Sequence, residues 1–428
     1  MDQRNVENLK TYRFVFVSNY LNHHQIPFCR AMNERLDGSF VFIQTEPMEE
    51  ERLRMGWNGE LEEPYLKLYY EKPAECDVYI RDADILLFGG TDDERYVQER
   101  LKSGKPVLRY SERIYKTGQW KAVSPKGLRR KYLDHTRWRK SPVWLLCSGA
   151  YVPSDFHIIR AYVGKMFCWG YFPETKYYDL EELMAKKGYL TADGRRIPYL
   201  LWSGRMIDWK HPELAIEVAK YLKSHGLEFH LDLIGGGDLE DQLKTMVTKY
   251  GLGEQVSFLG FQKPEEVRRR MEKADVYLIT SDRQEGWGAV ANEAMNSGCA
   301  VVADHMIGAA PYLIRHGKNG YLYRDGDPQM LFKTVESLIR DEDGRKRLGR
   351  AAYETIRDTW NAENAAKSLC RLIERLTGIL LDAQERKASP EEGEAPKAGD
   401  KMEFAPCEPA PVISERKMFR HLTEKNRT

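Results

Sequence analysis

Short apolar runs rich in β-branched and aromatic residues alternate along this chain with segments of helical periodicity. That alternation restricts the fold to parallel sheets covered by helices, the α/β class. It begins with Phe14-Val15-Phe16-Val17, a helix from Pro27 to Leu36, and Phe40-Val41-Phe42-Ile43. Two later runs look like counterparts: Ala83-Asp84-Ile85-Leu86-Leu87-Phe88 and Ala274-Asp275-Val276-Tyr277-Leu278-Ile279 both enter a buried strand through Ala-Asp. A chain of 428 residues exceeds one typical core. Two doubly wound domains of similar plan are therefore expected. Leu214, Val218 and Leu222 before Gly226, and Leu239, Leu243, Met246 and Tyr250 before Gly251, have helical spacing and read as core faces.

The pattern is interrupted at Tyr171-Phe172-Pro173-Glu174, which places the expected division between residues 1–172 and 173–360. From about Glu385 the composition shifts to Pro, Glu, Lys and Ala, with Phe404 and Phe419 as the only aromatics, so 385–428 is expected to be a disordered tail.

Lys and Arg total 66 against 65 Asp and Glu, a formal charge of +1, which argues against a chain dominated by nucleic-acid binding. The seven cysteines show neither C-x-x-C spacing nor an even count, which fits a reduced, cytoplasmic protein. Met1 to Lys10 is polar, and no apolar run reaches bilayer length.

The densest chemistry lies in Glu285-Gly286-Trp287-Gly288-Ala289-Val290-Ala291-Asn292-Glu293, between the strand-like run Ala274–Thr280 and a helix from Ala289 to Met295. A Gly-rich turn opening a helix offers unpaired N–H groups to a diphosphate. Glu285 in the loop and Glu293, two turns along the helix, can accept hydrogen bonds from sugar and ribose hydroxyls. Upstream, Ser203-Gly204-Arg205-Met206-Ile207-Asp208-Trp209-Lys210 follows another apolar run, Tyr199-Leu200-Leu201-Trp202. Arg205 can grip phosphate with two N–H groups and Lys210 can act as a point charge. Singly, each such residue is more often ordinary solvated surface. The combination carries the argument.

Together with Ile234-Gly235-Gly236-Gly237 and Phe258-Leu259-Gly260, these segments resemble, in order, the C-terminal domain of the retaining glycosyltransferases of family 4. The runs Gly298–Ala303 and Ile314–Gly320 extend the resemblance over roughly residues 198 to 376. It implies a GT-B fold, two Rossmann-like domains facing a cleft, with a last helix within 361–384 returning to the first domain. It also implies roles: Arg205 and Lys210 on the donor diphosphate, Glu293 on the ribose, and Glu285 with the Gly286-Trp287-Gly288-Ala289-Val290 backbone on the donor sugar. Gly204 belongs to the donor-binding segment, and Gly260 and Phe261 would flank the base.

In the first domain, Ser18-Asn19-Tyr20-Leu21-Asn22-His23-His24-Gln25 puts Asn22, His23 and His24 where donor or acceptor contact is expected. Polar loop capping is the bland alternative. Family members often have a Gly-Gly pair here and a histidine after a central strand. This chain has neither, and Ser111-Glu112-Arg113 follows that strand without giving Glu112 an assigned role.

Asp82-Ala83-Asp84 formally matches a D-x-D metal motif, but the second Asp leads into a strand, so no metal and no cofactor are expected. No Gly-x-Gly-x-x-Gly follows the first strand, which disfavours a nicotinamide enzyme. Between Arg113 and Lys140 stand ten Lys or Arg residues and a single acid, Asp134, interleaved with Tyr115, Trp120, Tyr132 and Trp138. This stretch reads as solvated surface or as a contact for anionic membrane or lipid phosphate, with nucleic acid the least favoured partner.

The reading is retaining transfer of a glycosyl unit from a nucleotide sugar to a glycan or lipid-linked hydroxyl. Two alternatives stay open: a sugar-nucleotide 2-epimerase of the same fold, and a sugar-nucleotide-binding protein without turnover.

Overall fold

A computed structural model of the chain describes residues 13–50, 62–119, 122 and 124–383. Met1 to Lys10, Trp120 and the tail 385–428 lie outside the described residues.

The first sheet has seven strands: β1 (Phe14–Ser18), β2 (Phe40–Gln44), β3 (Leu66–Leu68), β4 (Ile85–Phe88), β5 (Val107–Ser111), β6 (Val143–Ser148) and β7 (Met166–Trp169). All neighbours are parallel, in the order β3-β2-β1-β4-β5-β6-β7. A two-stranded hairpin follows, β8 (Tyr189–Leu190) with β9 (Arg196–Ile197). The second sheet holds β10 (Tyr199–Ser203), β11 (His230–Ile234), β12 (Val256–Phe258), β13 (Val276–Ile279), β14 (Ala300–Asp304) and β15 (Tyr321–Tyr323). It too is parallel, in the order β12-β11-β10-β13-β14-β15.

The central strands of both sheets are buried on both faces, which is why they read as unbroken apolar runs, whereas the edge strands β3 and β12 are only partly buried. In the first sheet Phe14, Phe16, Phe40 and Leu108 point into one core, and Val15, Val17, Leu86 and Val107 into another. Helix Ile26–Arg35 starts on Pro27, and helix Pro212–Ser224 starts on its own proline after His211, a residue held at φ 48°.

Helix Ala362–Thr377 lays Ala365, Leu369 and Ile373 into the first-sheet core against helix Ile26–Arg35. Gly378, at φ 74°, ends it. Just before this helix, Trp360 stacks between Phe172 and Trp287, each 5.6 Å away between ring centroids. The chain thus crosses back over an aromatic joint.

In each sheet the strand order reverses beside the strand that opens it, at β1/β4 and at β10/β13. Connections there run to opposite faces and leave a crevice beyond the strands' carboxyl ends, where ligands of open α/β sheets bind.

Candidate active site

The β10/β13 crevice gathers the motifs. Thr280 Oγ1 donates to the Lys210 carbonyl at 2.7 Å, and the Asp282 N–H donates to the Trp209 carbonyl at 2.9 Å. These bonds tie the two strand-end loops together. As a result Lys210 Nζ forms an ion pair with the Glu285 carboxylate. The same ammonium lies 4.7 Å from the centre of the Trp209 ring, and the Arg205 guanidinium lies 5.9 Å from it. Trp209 therefore lies beside both cations on the loop. His211 closes the loop toward Asp282 and Glu213, and those carboxylates push its pKa up to about 10.

The Ile234–Gly237 turn makes the close approach expected of it: a Cβ on Gly235 (φ 118°) would stand 2.0 Å from the Gly204 carbonyl oxygen.

Arg205, Lys210, Gly204, Phe261, Glu285, Gly286, Gly288, Ala289, Val290 and Glu293 all line one cleft of about 700 Å³, joined from the first domain by His23, His24, Glu112, Lys116 and Tyr171. The helix after the turn is Val290–Asn296, so Glu293 stands in its first turn, nearer the loop than two turns along. Burial pushes the Glu293 carboxyl up, against the pull of Arg268 and Lys176. Glu293 Oε1 faces His24 Nε2 at 3.9 Å. His23, His24 and Glu293 bring possible ligand atoms within 4.8 Å of one another, so a cation could sit there.

Three further residues of the expected set do not line this cleft. The Trp287 side chain is 1 % exposed; its Nε1 donates to Asn292 Oδ1 at 2.9 Å, and the ring packs in the aromatic joint, leaving only its backbone to the turn. Gly260, at φ 63°, supports the Gly235 turn by accepting its N–H at 2.8 Å, and Phe261 reaches the cleft instead. Asn22 lines the first-domain cavity and also caps its own loop: its Nδ2 donates to Gln25 Oε1 at 2.9 Å and its Oδ1 accepts the His24 N–H at 3.0 Å.

Asp82 and Asp84 stand at the amino end of β4, paired with Arg81 and Arg13, away from the carboxyl-end crevice. In the basic stretch, Arg129, Arg130, Arg137, Arg139 and Lys140 are exposed, whereas Lys131 is half-buried and lines a first-domain cavity.

Glu112 is the residue that sequence reasoning left without a role. It follows β5 directly, accepts the Tyr171 hydroxyl at 2.7 Å and Lys116 Nζ at 2.5 Å, and lies so close to Gly286 that a Cβ there would meet its Oε2 at 1.8 Å. Beside it the backbones of the two domains touch. Ala150 N–H donates to the Gly308 carbonyl at 3.0 Å, and a Cβ on Gly149 would stand 3.0 Å from Gly308 Cα and 3.1 Å from the Gly286 oxygen. The usable signal was positional, a carboxylate one residue beyond a central strand.

Two facing, doubly wound sheets with Gly-rich strand-end loops across a cleft define the GT-B architecture. Solved structures agree on that fold: a glycosyltransferase from Rickettsia africae (TM-score 0.61, 15% identity) and Anabaena Alr3699/HepE in complex with UDP (TM-score 0.60, 16% identity) each cover 86% of this chain. They are themselves covered over 99% and 100% of their lengths. Residues 194–355 match the family described as glycosyl transferases group 1.

Among curated proteins, the amylovoran biosynthesis glycosyltransferase AmsK of Erwinia amylovora is 33% identical over 41% of this chain and 44% of its own length. The lipopolysaccharide core biosynthesis glycosyltransferase LpsE of Rhizobium meliloti is 26% identical over 41% of this chain and 49% of its own. The chain thus matches about half the length of these relatives or less.

Proposed function

We propose that the protein transfers a glycosyl unit from a nucleotide-activated sugar to a hydroxyl of a glycan or lipid-linked acceptor, with retention at the anomeric carbon, in the making of a polysaccharide or glycoconjugate. The observation that carries this reading is the convergence of Arg205, Lys210, Glu285 and Glu293 on one cleft at the β10/β13 switch point. The names of AmsK and LpsE support the pathway class.

In this reading Arg205 and Lys210 take the diphosphate, Glu293 the ribose, and Glu285 with the Gly286–Val290 backbone the sugar. Lys210 starts out paired with Glu285, so the incoming diphosphate exchanges one anion for another and releases Glu285 toward the sugar. The bond from the anomeric carbon to the diphosphate oxygen breaks as the acceptor oxygen bonds on the same face, and the diphosphate takes the acceptor proton. The protein contributes position and preorganised charge.

The test is turnover against a panel of nucleotide sugars with the product anomer read by NMR. Retention is expected; inversion, or an altered nucleotide sugar released without acceptor, would displace this reading.

Turnover is expected to survive chelation, because two cations already face the phosphates; abolition by EDTA with rescue by Mg2+ or Mn2+ would move attention to His23, His24 and Glu293. Peripheral contact with anionic membrane belongs to the same proposal. Among the described residues no helix is long and apolar enough to cross a membrane. Helix Pro125–Asp134 exposes Leu128, Tyr132 and Leu133 beside Arg129 and Arg130, an apolar and basic mixture suited to a headgroup layer. Liposome sedimentation should be salt-sensitive and lost when Arg129, Arg130, Arg137, Arg139 and Lys140 become Gln.

A further inference from the structure

We infer that His23 and His24 of the first domain and Glu293 of the second form a site for one transition-metal ion of the zinc type, and that the ion inhibits by taking the carboxylate a donor needs. The inhibitory half of the inference rests on Glu293 belonging to the donor site.

Two short, braced segments bring these side chains face to face. The Asn22 carbonyl accepts the Gln25 and Ile26 N–H groups at 2.9 and 3.1 Å, a tight turn that sets His23 and His24 just ahead of helix Ile26–Arg35. Opposite them Glu293 stands in the first turn of Val290–Asn296, where its carbonyl accepts the Ser297 N–H at 3.0 Å and the Ser297 hydroxyl at 2.8 Å. All three residues line the donor cleft and are only half-buried, so an ion reaches them from solvent.

The spacing fits a shared ion better than a direct pair. His24 Nε2 and Glu293 Oε1 are 3.9 Å apart, too long for a hydrogen bond. Zinc bonds of about 2.0–2.2 Å set two ligand atoms roughly 3.4 Å apart in a tetrahedral shell and about 4.2 Å apart at most. The pair falls inside that span. Since the three ligand atoms all lie within 4.8 Å of one another, completing the shell takes side-chain shifts of roughly 1 Å.

The ligand set also chooses the metal. Two imidazoles and one carboxylate suit Zn2+, Co2+ or Ni2+, whereas Mg2+ and Ca2+ prefer shells of oxygen. None of the six described cysteines lines the cleft, so no thiolate joins the shell. With the ion in place Glu293 is no longer open to a ribose, and the two domains are tied across the cleft that a donor must enter. Chelation then releases turnover rather than abolishing it.

The experiment is a Co2+ titration of the full chain, stripped of metal beforehand and followed by visible absorption, with Zn2+ and Mg2+ as competitors. One equivalent should bind with the d–d bands of a nitrogen and oxygen shell and without thiolate charge transfer. Zn2+ should displace it and excess Mg2+ should not. His23→Ala and His24→Ala should each weaken binding tenfold or more. Thiolate ligation, no stoichiometric binding, or an affinity unchanged in both variants overturns the inference. If neither variant folds, the Co2+ spectrum of the parent should still show two hyperfine-shifted imidazole N–H resonances, and none overturns it. Calorimetric titration with UDP and GDP, with and without Zn2+, separates the two claims. Zn2+ should weaken nucleotide binding tenfold or more in the parent and less than twofold in His24→Ala, which controls for chelation by the diphosphate. Metal binding without that competition sinks the inhibitory half, and nucleotide binding without a metal site sinks this inference alone. Binding of neither nucleotide sinks the donor site beneath it.

Discussion

The two walls of the cleft share one topology, a crevice beside a strand-order reversal, yet they carry charge differently. On the β10/β13 wall a few polar groups sit on short Gly-rich loops, within 90 residues of sequence from Gly204 to Glu293. On the β1/β4/β5 wall the cavity is larger and dense with ion pairs that join distant segments, such as Arg109 with Glu94. The first arrangement suits a ligand part that recurs, a nucleoside diphosphate, whose recognition can be written as motifs. The second suits a ligand that differs from one protein to the next. In the proposed function, specificity for an acceptor would then lie in pairings with no fixed spacing.

If the comparison is right, the largest losses come from the cations of the motif wall. Arg205→Ala and Lys210→Ala should each cost about 3 kcal/mol in transition-state stabilisation, roughly a hundredfold in kcat/KM. Steady-state kinetics below about threefold loss in both would put the diphosphate elsewhere. A smaller, divided effect is expected from the two carboxylates. Glu293→Ala should raise the donor KM about tenfold with kcat kept, because a ribose contact is present in ground and transition states alike. Glu285→Ala should lower kcat by about tenfold, as a sugar contact tightens with developing charge. Equal shifts in both parameters for both variants would remove the distinction.

The smallest effect is on stability. The folded protein holds the Glu293 proton above the ordinary carboxylate range, so charging that group as pH rises costs stability; the penalty is absent below the unfolded pKa and complete above the folded one. Glu293→Gln should therefore melt higher than the parent at neutral pH and no higher at strongly acid pH. A difference in Tm independent of pH would refute the assignment of that strain to the carboxylate.

Periodicity and strand composition made the alternating elements readable: the expected runs at Phe14–Val17, Tyr199–Trp202 and Ala274–Thr280 correspond to β1, β10 and β13, with ends shifted by a residue or two where Ala-Asp leads in. The Arg205, Lys210, Glu285 and Glu293 set was legible because strand ends and Gly turns are local signals. The place of the Trp287 side chain was not legible in this way. Its neighbours in sequence face the cleft, while its ring answers to Trp360 and Tyr171, contacts that only the folded chain brings together. Glu112 and Arg113 were hidden likewise, since nothing in Ser111-Glu112-Arg113 shows that one meets Gly286 and Tyr171 and the other the buried Asp155.

The central claim is that the motif wall holds a nucleoside diphosphate between Arg205 and Lys210. Isothermal titration of the full chain with a set of nucleoside diphosphates, repeated on the Arg205→Ala/Lys210→Ala double variant, tests it most directly. The account predicts one-to-one binding of at least one of them, weakened tenfold or more in a double variant that still melts cooperatively. Binding by none of the set, or undiminished binding in the double variant, would contradict it.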